Sequence, residues 1–580
     1  MLKLLKFLKK YWLFAILTPL TMVLEVWVDL KQPDLLARIV DEGVAKGDMD
    51  VITGTGLLMI TLVLIGGLAG ISSAFFGSTA SQSFGRDLRN AAFRKVMSLS
   101  IEQTDGFTTG SLVTRLTNDV TAVQNMVNMG LRFFVRAPLT FIGGIIMACL
   151  ISWKFGVIIA IALPIEGIVM FLVMRKATPL FSSVQKKLDS VNSVVEENVN
   201  GTRVVKAYVR EEHEKGRFDK SNTELSDVNY KVLMILAYVV PIMMIIMNAT
   251  IIAVIAVGGY DVARGGEGAL QVGQIMSGVT FVTMILSSLI MVGLMFQQIT
   301  RAMASAKRIN EVLDCIPVIS GGDDKGAERG KGSVEFRNVS FHYPGTVGMP
   351  VLSDIDLDIK PGEYVAILGA TGSGKSTMVD LITRFYDATS GEILIDGKDV
   401  KEYDLETLRH KIAFVLQKSE LFAGTIADNI RWGAPEATDE EVREAARIAQ
   451  ADEFINEFND GYDTAVDQKG SSLSGGQKQR ISIARALVRK PEIIIFDDST
   501  SALDIGTESR LRGALRSSLA DTTVIMIAQR IASVMQADRI AVLENGVITA
   551  CGTHKELMKT SAAYRDIYDS QMRDGGESDE

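Results

Sequence analysis

The chain has 580 residues, enough for several domains, with 47 % hydrophobic residues, a mean hydropathy of +0.22 and a formal net charge of −9. The acidic balance argues against nucleic-acid binding. Cys149, Cys315 and Cys551 are isolated and lack C-x-x-C spacing, which argues against a disulfide framework or a zinc site. The apolar excess lies before about residue 305, and the remainder has the composition of a soluble domain.

Residues 2–10 (LKLLKFLKK) group Leu4, Leu5 and Leu8 against Lys3, Lys6, Lys9 and Lys10. A helix of this kind is expected to lie on an anionic membrane surface. A cleaved signal peptide is the competing reading, but no small-residue cleavage site closes the apolar run that follows. Six apolar segments come next, near residues 12–30, 54–78, 133–152, 155–174, 233–258 and 274–297. Each approaches the ~20 residues that cross ~30 Å of hydrocarbon as a helix. The connections after the second and fourth segments are long and carry Arg86, Arg89, Arg94, Lys95, Lys186, Lys187, Lys206, Arg210 and Lys215. The short connections hold few cations: Arg38, Lys46, Lys154 and Arg264. That asymmetry predicts a multi-pass protein of the cytoplasmic membrane with both termini and the long connections in the cytoplasm.

Several polar residues fall inside these segments. Glu25 and Asp29 share one face of the first; Glu166 lies in the fourth and Asn248 in the fifth. Intramembrane carboxylates mark either a wet, substrate-facing cavity or bonds to neighbouring helices. Met284, Met291 and Met295 fall on one face of the sixth segment, and Met243, Met244 and Met247 cluster in the fifth. Adaptable Met surfaces suit varied apolar cargo, and helix packing explains them equally well.

Residues 309–333 lose the apolar periodicity and gather Gly and charge, the expected linker between a membrane domain (1–308) and a soluble domain (334–570). Residues 571–580 form the expected acidic tail. Within the soluble domain, Gly369–Thr377 reads GATGSGKST and fits G-x-x-x-x-G-K-[ST]. Glycines at 369, 372 and 374 free the backbone to turn its N–H groups onto phosphate oxygens at a helix start. Lys375 adds charge near the outer phosphates, and Ser376 offers a hydroxyl to Mg²⁺. The preceding run, Tyr364–Leu368, reads as a buried strand, and Met378–Thr383 reads as helix. A second apolar strand, Ile493–Asp497 (IIIFD), delivers Asp497 toward the same metal. Tyr343, in VSFHYPG, offers an aromatic face to adenine, or is a surface aromatic at a turn.

Leu473–Arg480 (LSGGQKQR) resembles the signature of ATP-binding cassette proteins. The order of Tyr343, the phosphate loop, Gln417 (in FVLQKSELF), the signature, Asp497 and the SALD turn ending at Asp504 resembles that family throughout. Six membrane segments followed by one cassette resemble an ABC exporter half-transporter over essentially the whole chain. The resemblance implies an α-helical transmembrane bundle with long cytoplasmic extensions, then an α/β P-loop ATPase domain with a helical subdomain. It implies a second half-transporter chain as partner, with two ATP and Mg²⁺ between paired cassettes. One chain then supplies Tyr343, Gly369, Thr371, Gly372, Ser373, Gly374, Lys375, Ser376 and Thr377, with Gln417 and Asp497 on the metal. The other supplies Ser474, Gly475, Gly476 and Gln477, and Asp504 lies at the interface. Phe107–Val120 and Glu196–Phe218 resemble the exporter bends that meet the cassette near Gln417.

Two positions depart from the family pattern. Asp498 stands where the family usually has the Glu that polarises the attacking water, and Gln529 stands where it usually has His. Asp is one methylene shorter, and Gln cannot become cationic or exchange a proton near neutral pH. Together they resemble the non-hydrolysing half of a heterodimeric multidrug exporter, whose intact signature completes the partner's site. The rivals are a homodimeric lipid or drug flippase and a nucleotide-gated regulatory membrane protein.

Overall fold

The structure is a computed structural model and describes residues 1–265, 269–324, 330–346, 348–500 and 503–573. The side chain of Met295, residues 325–329 of the expected linker and residues 574–580 of the expected acidic tail lie outside the described residues. The chain divides into two compact units: Met1–Met97 with Gly110–Cys315, and Ser98–Thr109 with Ile316–Glu580.

Among the described residues, the first unit is built on six helices long and apolar enough to cross a membrane. They are α1 (Trp12–Arg38), α2 (Met49–Met97), α3 (Val120–Ile151), α4 (Trp153–Asn200), α5 (Glu211–Arg264) and α6 (Val272–Asp314). Helices α2, α4 and α5 contain 49, 48 and 54 residues. At ~1.5 Å per residue each far exceeds a ~30 Å hydrocarbon layer. Exposed apolar side chains such as Leu57, Leu64, Leu68 and Ile71 of α2 suit contact with lipid.

Small residues let these helices approach closely. A Cβ on Gly66 would lie 3.0 Å from Val28 Cγ1, one on Gly144 2.8 Å from Ile285 Cγ1, and one on Gly258 2.7 Å from Ile275 Cγ1. Phe155, Val254, Phe281 and Ile285 form a buried cluster in which α3, α4, α5 and α6 meet. Below it, Arg308 Nε donates to Asp119 Oδ2 at 2.7 Å and Ser305 Oγ to Asp119 Oδ1 at 2.8 Å, tying α6 to the segment that leads into α3.

Three expectations change. The N-terminal segment does not present its leucines to lipid. Leu4 is fully buried among Phe84, Leu88, Val123 and Ile309, with Leu5 and Leu8 packed beside it, and Lys3 Nζ reaches Asp314 at 2.7 Å. Burial against the helices removes more apolar surface from water than the interface would. Helix α6 continues through Asp314, so the segment expected as linker from 309 begins as helix, held by buried Ile309 and Val312. The segment from the first long connection that clusters with the cassette is Ser98–Thr109, not the whole of Phe107–Val120. Its helix Ile101–Phe107 starts with a capping box at Ser100, and Gln103 Nε2 donates to Ile316 O at 2.6 Å. Tyr386 OH donates to Asp105 Oδ2 at 3.4 Å.

The second unit carries two main sheets. β1 (Val334–Phe341), β2 (Leu352–Ile359), β4 (Ser390–Ile395) and β5 (Lys398–Asp399) form an antiparallel sheet in the order β2-β1-β4-β5. β3 (Tyr364–Leu368), β6 (Ile412–Val415), β9 (Ile493–Asp497), β10 (Thr523–Ala528), β11 (Arg539–Glu544) and β12 (Val547–Gly552) form the other, ordered β12-β11-β3-β10-β9-β6. Its strands are parallel except for the β11–β12 pair. β9 and β10 are buried along their whole length, as strands covered on both faces must be. Short β7 (Gly424–Thr425) and β8 (Ala465–Val466) accompany helices Ile426–Arg431, Asp439–Ile448 and Asp452–Asn456 in a helical region with its own apolar core. The fold class read from the sequence is therefore the one observed.

Candidate nucleotide site and membrane polar groups

The phosphate loop joins β3 to α7 (Lys375–Ile382) at the carboxyl edge of the parallel sheet, where such sheets place ligands. Gly374 caps α7 with φ 102°, a conformation that favours glycine. A Cβ there would lie 2.8 Å from Leu352 Cδ2, and one on Gly369 would lie 2.2 Å from Leu543 O. Lys375 is buried, and its ammonium donates to Gly369 O at 2.9 Å and Ala370 O at 2.7 Å. The loop's own carbonyls thus hold the charge that an outer phosphate would attract. Burial holds the Lys375 ammonium below its usual range, against the nearby Asp498 and Asp497 carboxylates. Ser373 Oγ is buried with no hydrogen-bond partner among the described residues, a polar atom that a phosphate oxygen would satisfy.

A cavity of about 310 Å³ gathers Tyr343, Thr371, Gly372, Gly374, Lys375, Ser376, Thr377, Gln417, Asp497, Asp498 and Gln529. Val351 and Ile527 also line it, and sequence reasoning missed both. Ser376 Oγ donates to Asp497 Oδ1 at 2.9 Å. A hydroxyl, a carboxylate and the Gln417 amide make an all-oxygen donor set that fits a hydrated Mg²⁺ beside phosphates. Burial pushes Asp497 up from the usual carboxylate range; the Ser376 hydrogen bond opposes this, and the Asp498 charge adds to it. Tyr343 packs edge-on against Phe341 and Tyr386, with ring centroids at 5.0 and 5.3 Å, and its hydroxyl lies 3.0 Å from Thr377 Oγ1.

The two departing residues meet at one atom. Gln529 Nε2 donates to Asp498 Oδ2 at 3.0 Å, and Gln417 Nε2 donates to the same oxygen at 3.3 Å. Asp498 takes φ 44°, in the left-handed region that is costly for a side-chain-bearing residue. Burial raises its pKa, opposed by the Gln417 hydrogen bond, the Lys375 and Arg530 charges and the Gln529 hydrogen bond.

The signature residues do not line this cavity. Ser474 caps helix α8 (Gly475–Leu487) in a capping box: Gln477 N donates to Ser474 Oγ at 3.3 Å, and Ser474 N to Gln477 Oε1 at 2.9 Å. Ser474 and Gly475 are exposed at that helix start, as an anion-binding end offered to another chain would be. Asp504 caps α9 (Ile505–Ser518) by accepting from Thr507 N at 2.9 Å.

In the membrane unit, α3 supplies a group that the sequence reading overlooked. Arg136 pairs with Glu25 through Nη1 and with Asp29 Oδ2 through Nη2 at 3.0 Å. Both acids therefore have an interhelical partner, which is the structural alternative to contact with cargo. The signal was present, since an arginine inside an apolar segment demands a partner. Gly70 leaves room for Glu25, whose Oε2 would lie 3.1 Å from a Cβ there. Glu166 is 1 % exposed and its Oε2 has no hydrogen-bond partner among the described residues. Asn248 donates to Met244 O at 2.8 Å within its own helix. Met284 packs against the cluster around Phe281, so helix packing accounts for its position, and Met291 is half-buried.

Comparison with known proteins agrees with this geometry. The family described as "ABC transporter transmembrane region" matches residues 15–289, and the family described as "ABC transporter" matches residues 352–501. "Uncharacterized ABC transporter ATP-binding protein YfiB" of Bacillus subtilis is 42 % identical over 99 % of this chain and 100 % of its own length. The "ATP-dependent lipid A-core flippase" of Escherichia coli is 33 % identical over 96 % of this chain and 95 % of its own. A solved structure described as a bacterial Atm1-family ABC exporter with ATP bound superposes with a TM-score of 0.80 at 25 % identity, covering 99 % of both chains.

Proposed function

Because the chain belongs to the ABC transporter family and joins an exporter membrane region to an ATPase cassette that drives transport, we propose that it is one half of a heterodimeric exporter of amphipathic, drug-like molecules. In this reading it carries the weak ATP site and donates an intact signature to the strong one. Both termini and the cassette face the cytoplasm.

The observation that supports the reading best is the convergence of Gln417 and Gln529 on Asp498 Oδ2. Hydrolysis requires a water to attack the γ-phosphorus, the bond to the ADP oxygen to break, and the water proton to leave. Asp498 reaches one methylene less far than Glu, and a misplacement of ~1 Å can cost ~100-fold in rate. Its oxygen already accepts two amide N–H bonds, and Gln529 cannot exchange a proton. The residues for binding are all present: Tyr343 for adenine, Lys375 and the loop for phosphates, and Ser376, Asp497 and Gln417 for Mg²⁺. Bound Mg²⁺ supplies charge neutralisation across the outer phosphates. Nucleotide held without efficient turnover is the expected outcome at this P-loop. The exposed Ser474 and Gly475 face the partner's ATP, and turnover there resets the pump.

Co-expression of tagged and untagged copies in the native cell tests the assembly. Purification through the tag is expected to recover a different half-transporter chain in equal amount and no untagged copy. Recovery of the untagged copy would establish a homodimer. That second reading, a lipid flippase built from two copies, is favoured by the 33 % identity to a lipid A-core flippase.

A further inference from the structure

We propose that Arg132 of α3 forms a binding site for the phosphate of an anionic lipid head group in the inner leaflet. Helix α3 places Gln124, Asn128, Arg132 and Arg136 four residues apart, so they follow one another along one face. The two arginines have different fates. Arg136 is neutralised by Glu25 and Asp29. Arg132 forms no ion pair among the described residues, its Nε is buried without a hydrogen-bond partner, and its nearest ring contact is Phe133 at 5.9 Å.

The stem of Arg132 is fixed while its head remains available. A Cβ on Gly77 would lie 3.4 Å from Arg132 Cδ and 3.2 Å from Thr18 Cγ2, so the arginine stem crosses α2 level with Thr18 of α1. Thr18 follows the 61 % exposed Trp12, at the start of α1, by six residues, about 9 Å along the helix. An exposed Trp of this kind sits at head-group level. Side chains on α3 lean toward its N-terminal end, which lies on the cytoplasmic side in the orientation proposed above. The guanidinium thus sits at the boundary between acyl chains and head groups. An uncompensated charge there is costly. The anion available at that depth is a lipid phosphate, and the two terminal Nη groups form a two-pronged edge that phosphate accepts. One turn toward the cytoplasm, Asn128 Oδ1 is likewise buried without a partner among the described residues, an acceptor suited to a head-group hydroxyl.

The test is the fraction of spin-labelled lipid immobilised by the full-length chain in phosphatidylcholine vesicles, without nucleotide. Spin-labelled phosphatidylglycerol is expected to be preferred over spin-labelled phosphatidylcholine by about fivefold. Arg132→Gln should abolish the preference, Arg132→Lys should keep part of it, and Arg94→Gln, on the exposed end of α2, should keep all of it. Millimolar inorganic phosphate should not displace the lipid. The proposal is overturned if wild type shows no preference, if Arg132→Gln retains it, or if Arg94→Gln loses it equally. Displacement by inorganic phosphate would assign the site to a free anion and overturn the lipid assignment. The assay uses neither ATP nor a partner chain, so its failure leaves the exporter reading intact.

Discussion

Gln529 and Asp498 share a 3.0 Å hydrogen bond in which the amide donates and the carboxylate accepts. Where the family usually pairs an imidazole with a Glu, this chain has a group that cannot titrate beside a shortened acid. The pair lines the cavity that contains the phosphate loop, so the departure bears on the γ-phosphate and its water and leaves the adenine end unchanged.

Lys375→Ala should weaken binding of a fluorescent ATP analogue to the full chain by tenfold or more, since a charge-assisted bond to phosphate contributes roughly 1.5–3 kcal/mol. Unchanged affinity would contradict the assignment of the Gly369–Thr377 loop.

Tyr343→Ala should weaken the same binding by about fivefold, within the range for loss of one stacked base. Tyr343→Phe should stay within about twofold, because it keeps the ring and loses only the contact with Thr377. Equal losses in both variants would assign the effect to the hydroxyl rather than to stacking.

Arg136→Ala leaves Glu25 and Asp29 without their partner inside the membrane. It should lower the unfolding free energy of the solubilised protein by roughly 2 kcal/mol or more, read as a fall in Tm. Adding Glu25→Gln and Asp29→Asn should recover much of the loss. A triple variant as unstable as the single one would show that packing of the arginine stem, and not charge, is what matters.

Glu166 is almost fully buried, and its Oε2, like Glu25 Oε2, has no hydrogen-bond partner among the described residues, but unlike Glu25 it has no arginine paired with its other oxygen there. In an exporter of amphipathic cations, Glu166→Gln should reduce export of a cationic dye at least ~threefold more than export of a neutral one, since an unpaired charge is most valuable to an opposite charge. A uniform reduction for both dyes, with poor expression, would give Glu166 a structural role.

How much of this was legible depended on range. The six membrane helices follow from composition, and the strand–loop–helix around Gly369 follows from glycine spacing and flanking apolar runs, so local pattern sufficed. Asp498 and Gln529 could be singled out only by resemblance to a family, and their shared hydrogen bond needed β9 and β10 to be parallel neighbours. Arg136 shows the opposite failure. Glu25 and Asp29 were visible as an i, i+4 pair, yet their partner is 107 residues from Asp29 in sequence, and nothing local predicts that α3 packs beside α1. The N-terminal leucines failed for the same reason: an amphipathic face specifies burial but not what it is buried against.

The central claim is that this chain's own catalytic residues bind ATP but turn it over poorly. Its most direct measurement is the ATPase rate of this chain purified in complex with its partner, with the partner's own P-loop lysine replaced so that turnover reports the site built on Lys375, in wild type, in Asp498→Asn and in the double variant Asp498→Glu with Gln529→His. The account predicts ATP binding with a low wild-type rate, little change in Asp498→Asn, and a rise of about tenfold or more in the double variant. A brisk wild-type rate that Asp498→Asn abolishes would contradict it.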